Sequence, residues 1–225
     1  SVEEIEVMVA EANAAGLWVM SHAQSTIGIK NAVRAGVRSI EHGIYLDDEA
    51  IELMLEHDAY LVPTLVAPTG VLRAAEEGAS IPENVLRKSA EVIEAHRDSF
   101  RRATEAGVKI AMGTDSGVTP HGENLRELEL MTACGMAPAD VLVSTTRIAA
   151  ELMGVDRELG TIEAGKRADL VRCRVTRSTS RTCASGSSSC TRTAGVSPAA
   201  PKSARACRRE CPRHESNMRT RFRKP

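Results

Sequence analysis

Two histidines and an aspartate occupy comparable places in this chain, because each closes a short apolar run. Leu17-Trp18-Val19-Met20 leads through Ser21 to His22. Ser39-Ile40 leads through Glu41 to His42, and Lys109-Ile110-Ala111-Met112 leads through Gly113-Thr114 to Asp115. Imidazoles and carboxylates are the side chains that bind divalent metals and carry protons near neutral pH. At the carboxyl ends of successive parallel strands they would share one rim, which is where β/α architectures place their chemistry. The recurrence therefore reads as a site, with Gly113-Thr114-Asp115 as its most specific string. His121, in Thr119-Pro120-His121-Gly122 beyond the last of these strands, is a candidate substrate contact. Plainer roles stand beside these: a hydrogen-bonded core histidine for His22 or His42, a turn cap for Asp115, a loop position for His121. His96 falls on a helix and His57 at a helix end, where surface or packing roles are expected. Tyr45 and Thr64 lie near strand ends, where pocket lining and core look alike in sequence.

The elements that must position these residues alternate. Ser1-Val2-Glu3-Glu4 has the spacing of a capping box, and Ile5, Met8, Val9 and Ala12 follow at helical period up to Gly16. Strands are expected over 17–20, 37–42, 60–65 and 109–112, as short runs covered on both faces. Helices are expected over 25–35, 47–56, 83–106 and 123–133, with a Gly- and Pro-containing loop over 67–82. The acidic first turn Asp47-Asp48-Glu49 suits a helix dipole. A further helix spans 138–154, with Pro138 in its first turn and Gly154 at its end. Strands alternating with helices predict a parallel sheet. A closed barrel takes eight such units and typically about 250 residues. Only four are visible, so the expected fold is α/β, a partial TIM-type (β/α) barrel of about four units with strand edges and apolar helix faces uncovered.

The net charge of −1 conceals a division. Residues 1–171 carry 15 Lys+Arg against 28 Asp+Glu, and residues 172–225 carry 14 against 2. The cysteines divide similarly: Cys134 stands alone in the first part, while Cys173, Cys183, Cys190, Cys207 and Cys211 fall in the second. One cysteine in 171 residues fits a reduced, cytoplasmic domain. No apolar run approaches the roughly 18 residues of a membrane span, and Ser-Val-Glu-Glu-Ile-Glu does not read as a signal peptide. A start inside an acidic helical pattern, without Met, is what loss of an upstream portion would give.

Five strings, in order, resemble the amidohydrolase superfamily: Ser21-His22-Ala23, Ile40-Glu41-His42-Gly43, Tyr60-Leu61-Val62-Pro63-Thr64-Leu65, Ala106 to Gly117, and Leu159 to Val171. The branch they resemble is that of the imidazolonepropionase-like and Xaa-Pro dipeptidase-like hydrolases. The resemblance covers nearly all of residues 1–171 and stops at Val171. It implies a metal-bearing barrel with a small β domain made by the chain ends. It further implies that His22 and His42 bind a divalent metal, with zinc first in order and one or two ions in a complete enzyme. Asp115 would be both metal ligand and proton carrier in the hydrolysis of an amide, cyclic amide or dipeptide carbon–nitrogen bond. The partner implied is a small-molecule or dipeptide substrate. The family's usual His-x-His pair and carboxylated lysine do not occur here. Of the histidines at 22, 42, 57, 96 and 121, no two are separated by one residue. Weak or absent metal affinity and activity are therefore expected if these 225 residues are the whole molecule, which would then be an inactive fragment or binding remnant.

Three segments follow from this reading: 1–137 as the carboxyl-terminal half of the barrel, 138–171 as a helix and the first part of a composite β domain, and 172–225 as a basic tail. The tail has no Leu or Ile, and Ser and Thr number 15. That composition predicts disorder. The sudden break inside a family string favours a shifted reading frame over a nucleic-acid-binding tail, for which Phe222 is the only aromatic. A zinc module of Cys207, Cys211 and His214 ranks third, for want of a fourth ligand.

Overall fold

The structure, a computed structural model, describes residues 1–172 and 189–191. Helix α1 (Val2–Ala14) opens with the expected capping box, in which the Ser1 side chain accepts the Glu4 amide and the Glu4 carboxylate bonds back to residue 1. There follow β1 (Met20–Ala23), α2 (Thr26–Arg34), β2 (Ser39–His42), α3 (Asp48–Glu56) and β3 (Tyr60–Val62). After them come α4 (Gly70–Glu76), α5 (Glu83–Ala106), β4 (Lys109–Ile110) and α6 (Leu125–Ala133). The four strands form one parallel sheet in the order β1-β2-β3-β4. The parallel α/β arrangement read from the alternation is therefore present.

Boundaries moved for local reasons. The first strand lies at 20–23, three residues later than expected, because Met20 to Ala23 is the stretch that registers against Ser39 to His42. The third strand ends at Val62, because Pro63 has no amide to donate and Thr64 turns left-handed. The segment 67–82, expected as a loop, contains a 3₁₀ turn (Ala67–Thr69) and α4. Its Arg73 pairs with Glu123, which ties this insertion to the segment after β4.

One side of the sheet is packed by helices. Ile40, Leu61 and Ile110, from three adjacent strands, are fully buried with Ile29, Val33, Met54, Phe100 and Met131 from the helices. The other side holds a smaller cluster, Tyr60, Val62 and Ala111, against which Ile148 and Leu152 pack. Toward β1 this side is open, with Met20 64 % and Trp18 46 % exposed.

The expected helix over 138–154 is interrupted. Helix α7 (Pro138–Val143) and helix α8 (Ala149–Leu152) are joined by a π turn, Ser144–Ile148. A π turn breaks the i→i−4 ladder and frees a carbonyl, and the Ser144 carbonyl accepts the Met112 amide (3.2 Å) just past β4. Beyond, β5 (Leu170–Arg172) pairs antiparallel with β6 (Ser189–Thr191). Those three β6 residues fall in the segment whose composition predicted disorder. The remainder of it, including Cys183, Cys207, Cys211 and His214, lies outside the described residues.

Candidate functional site

Strict alternation along β2 would send Ile40 and His42 to the same side, into the helix-packed layer. His42 departs from it: its φ is +73°, and its ring lies 4.4 Å from that of His22, centroid to centroid, at 70°. His22 is exposed at the end of β1, and His42 is buried. Thr64 and Asp115, the residues reached after β3 and β4, also have positive φ, +50° and +49°. Three neighbouring strands thus end on left-handed non-glycine residues. That conformation costs on the order of 1–3 kcal/mol each and persists only where the surroundings impose it.

The surroundings here are polar side chains, the buried ones from α5 and α6 among them. Thr64 Oγ1 stands 2.5 Å from His42 Nδ1. His96 on α5 bonds through Nε2 to the His42 carbonyl (2.9 Å), and Ser99, one turn on, donates to the Ile44 carbonyl (2.8 Å) and accepts the Leu46 amide (3.0 Å). Glu127 on α6, fully buried, accepts the amides of Leu65 and Val66, both at 2.8 Å. Near Asp115, Asn124 Nδ2 donates to Thr114 and Ser116, both at 3.2 Å, and Thr119 donates to the Thr114 carbonyl (3.1 Å).

Electrostatics couple the strand ends. Burial first, and His22 second, hold the His42 imidazole below its ordinary pKa, while Asp115 acts in the opposite sense. Burial chiefly, reinforced by Asp115 and opposed by a hydrogen bond from Ser39, raises that of Glu41. Glu41 is opposite His22 in the strand register, so both project from the open side of the sheet. A neutral imidazole with one nitrogen occupied by a hydroxyl and the other free is the form that ligates metals.

Of the four residues singled out in the sequence, His22 and His42 are side by side and Asp115 acts on His42 electrostatically. His121 is exposed in the loop beyond Asp115, with no hydrogen bond linking it to the other three. Among the described residues, no three or more His, Cys, Asp and Glu side chains are grouped to hold a metal ion. The donor types and the free His42 nitrogen fit a divalent metal, as part of a ligand set rather than a closed one. Sequence reasoning passed over Glu127 and Ser99; of the two roles it gave His96, surface or packing, the structure shows packing, with His96 buried and hydrogen-bonded to the backbone of His42. An apolar hollow lined by Pro68, Val85, Lys88 and Val92 lies apart from this rim.

The amidohydrolase family model matches residues 1–189, and the chain belongs to that family. It is 32% identical over 173 residues to an ochratoxinase of Aspergillus niger, covering 76% of this chain and 35% of that one. It is 27% identical over 177 residues to an imidazolonepropionase of a Shewanella species, covering 75% and 38%. A crystal structure of a Xaa-Pro dipeptidase with methionine bound in its active site superposes with TM-score 0.72 at 41% identity, covering 78% of this chain and 43% of that one. The chain spans about a third of the length of the ochratoxinase it matches. Among the described residues, no helix is long and apolar enough to cross a membrane.

Proposed function

We propose that this chain carries the carboxyl-terminal half of the (β/α) barrel of a metal-dependent hydrolase acting on amide-type carbon–nitrogen bonds. The observation that carries the proposal is the His22–His42 pair at the strand ends, held there by a backbone conformation that alternation alone would not give. In this reading His22, His42 and Asp115 are ligands to a divalent cation, zinc first. Bound there, the metal supplies Lewis acidity and makes water more acidic. Asp115 takes the proton from the attacking water and returns it to the leaving nitrogen. Thr64 orients His42, and His121 contacts the substrate from the loop after β4. Small amides, cyclic amides and dipeptides are the substrates considered, as the related hydrolases suggest. The segments 1–137, 138–171 and 172–225 are proposed as half-barrel, start of a β domain and separate basic tail. A reduced cytoplasmic setting accords with one cysteine in residues 1–171.

A second reading, a binding remnant without turnover, is favoured by one observation: no three-ligand group among the described residues. Metal analysis after dialysis against Zn²⁺, with amide and dipeptide hydrolysis assays on the 225-residue chain, separates the two. Metal uptake lost in His22→Ala and His42→Ala, with any turnover lost in Asp115→Asn, is the result expected for the hydrolase site. Metal uptake unchanged in both histidine variants overturns it.

A further inference from the structure

Glu127 has no solvent contact, yet among the described residues its carboxylate meets no cation. Both of its oxygens are used on backbone, one accepting Leu65 N–H and the other Val66 N–H. A buried acid is a costly partner for two amides, so what those amides hold in place is informative. They follow directly on Thr64, a β-branched residue at φ +50°, for which the left-handed region is a genuine outlier. In that conformation Thr64 Oγ1 stands 2.5 Å from His42 Nδ1 across the gap between β3 and β2.

We propose that Glu127 is a positioning residue of the rim: by fixing the Leu65 and Val66 amides it holds Thr64 left-handed, and Thr64 accepts Nδ1–H of His42, leaving Nε2 to face the site. Two features of the side chain suit it to this. A carboxylate offers an acceptor to each amide at once, whereas a carboxamide would turn its own N–H₂ toward one of them. It also reaches the segment from α6, outside the sheet, so it acts on His42 without approaching the His22 side. The purpose assigned to His42 rests on the function proposed above; the chain of contacts from Glu127 does not.

The test reads the tautomer of His42 in the full 225-residue chain. With ¹⁵N-labelled histidine at pH 8, two-bond ¹H–¹⁵N spectra distinguish Nδ1–H from Nε2–H, and His42→Ala assigns the signal. Wild type should show Nδ1–H at His42. Glu127→Gln and Thr64→Val should both give a mixture of tautomers there, with the exposed His57 unchanged, and should weaken binding of Co²⁺ alone by about 10- to 100-fold. A folded Glu127→Gln protein that keeps wild-type His42 signals overturns the proposal. Should Glu127→Gln not fold, Glu127→Asp, too short to reach both amides, carries the same expectation and the same overturning result. If wild type takes up no Co²⁺ while the tautomer still depends on Glu127, the positioning role stands and the metal reading falls. If Co²⁺ binds and the tautomer ignores Glu127, the reverse holds.

Discussion

At the carboxyl end of the sheet the chain passes through three left-handed non-glycine residues, His42, Thr64 and Asp115, the first two beside backbone bonded by the buried His96 and Glu127 side chains. At the amino end it is closed by stacking. The Arg38 guanidinium lies 4.1 Å over the Trp18 ring and 5.6 Å from that of Tyr60, Lys109 Nζ is 5.2 Å from the same Tyr60 ring, and one non-glycine residue of positive φ, the exposed Asp58 (+54°), pairs with Lys109. One end gathers three left-handed non-glycine residues, and the other holds a single one, at an exposed position. Left-handed non-glycine residues cluster at functional sites, so their concentration at the carboxyl end accords with the site proposed there.

The sharpest way to break this contrast is at Glu127. Glu127→Ala leaves two buried amides without an acceptor, each worth about 1–3 kcal/mol, so urea unfolding should show a loss of several kcal/mol. A loss no larger than that from Arg38→Ala would remove the distinction between the ends.

Acid–base behaviour sharpens it further. Burial pushes the Glu127 carboxyl up to about 7 against the opposing pull of its two amide bonds, and burial pushes the His96 imidazole down to about 4. A raised carboxyl stabilises the fold fully below its unfolded value of 4.5, and that contribution is lost as pH rises through about 7. A lowered imidazole stabilises it above 6.5, and that contribution is lost as pH falls through about 4. Each is worth about 3 kcal/mol, with opposite slopes in overlapping ranges. Relative to wild type, the deficit of His96→Gln should therefore grow from pH 4 to 6.5, and that of Glu127→Gln should shrink from pH 4.5 to 7. Denaturation midpoints across this range give both slopes, and parallel curves would contradict the assignment of these groups to the interior.

At the amino end the effects are smaller. Arg38 donates to the carbonyls of Leu152 (2.9 Å) and Glu151 (2.7 Å), which end α8, besides stacking on Trp18. Arg38→Ala should cost about 1–2 kcal/mol and leave the His42 tautomer unchanged. Lys109→Ala removes a partly exposed pair with Asp58 (2.7 Å) and should cost less than about 1 kcal/mol.

The same contrast explains what could be read from residues alone. Strands and helices of the parallel α/β layer announce themselves through apolar runs, Gly16, Gly36 and Gly107, and the capping box at Ser1, because these depend on neighbours in sequence. His22, His42 and Asp115 could be singled out because a ligand-type residue closing a strand is a local pattern, and the two histidine rings do lie side by side. The left-handed turn at His42 was not, since nothing in Glu41-His42-Gly43 signals that His42 leaves the alternation. Glu127 sits 61 and 62 residues from the amides it holds and reads as one more acidic helix residue. His96 likewise resembles a surface histidine on a charged helix until α5 is laid against β2. The π turn at Ser144 has no composition of its own, and its cause is the Met112 amide, 32 residues earlier in the chain.

That turn makes one helical segment a caliper. Its middle bonds to Met112, just past β4, and its far tip to Arg38, just before β2, so the segment bridges the two ends of the sheet. Insertion or deletion of a residue between 144 and 152 would rotate one jaw by about 100° relative to the other, and whichever grip survived, the opposite end would be released.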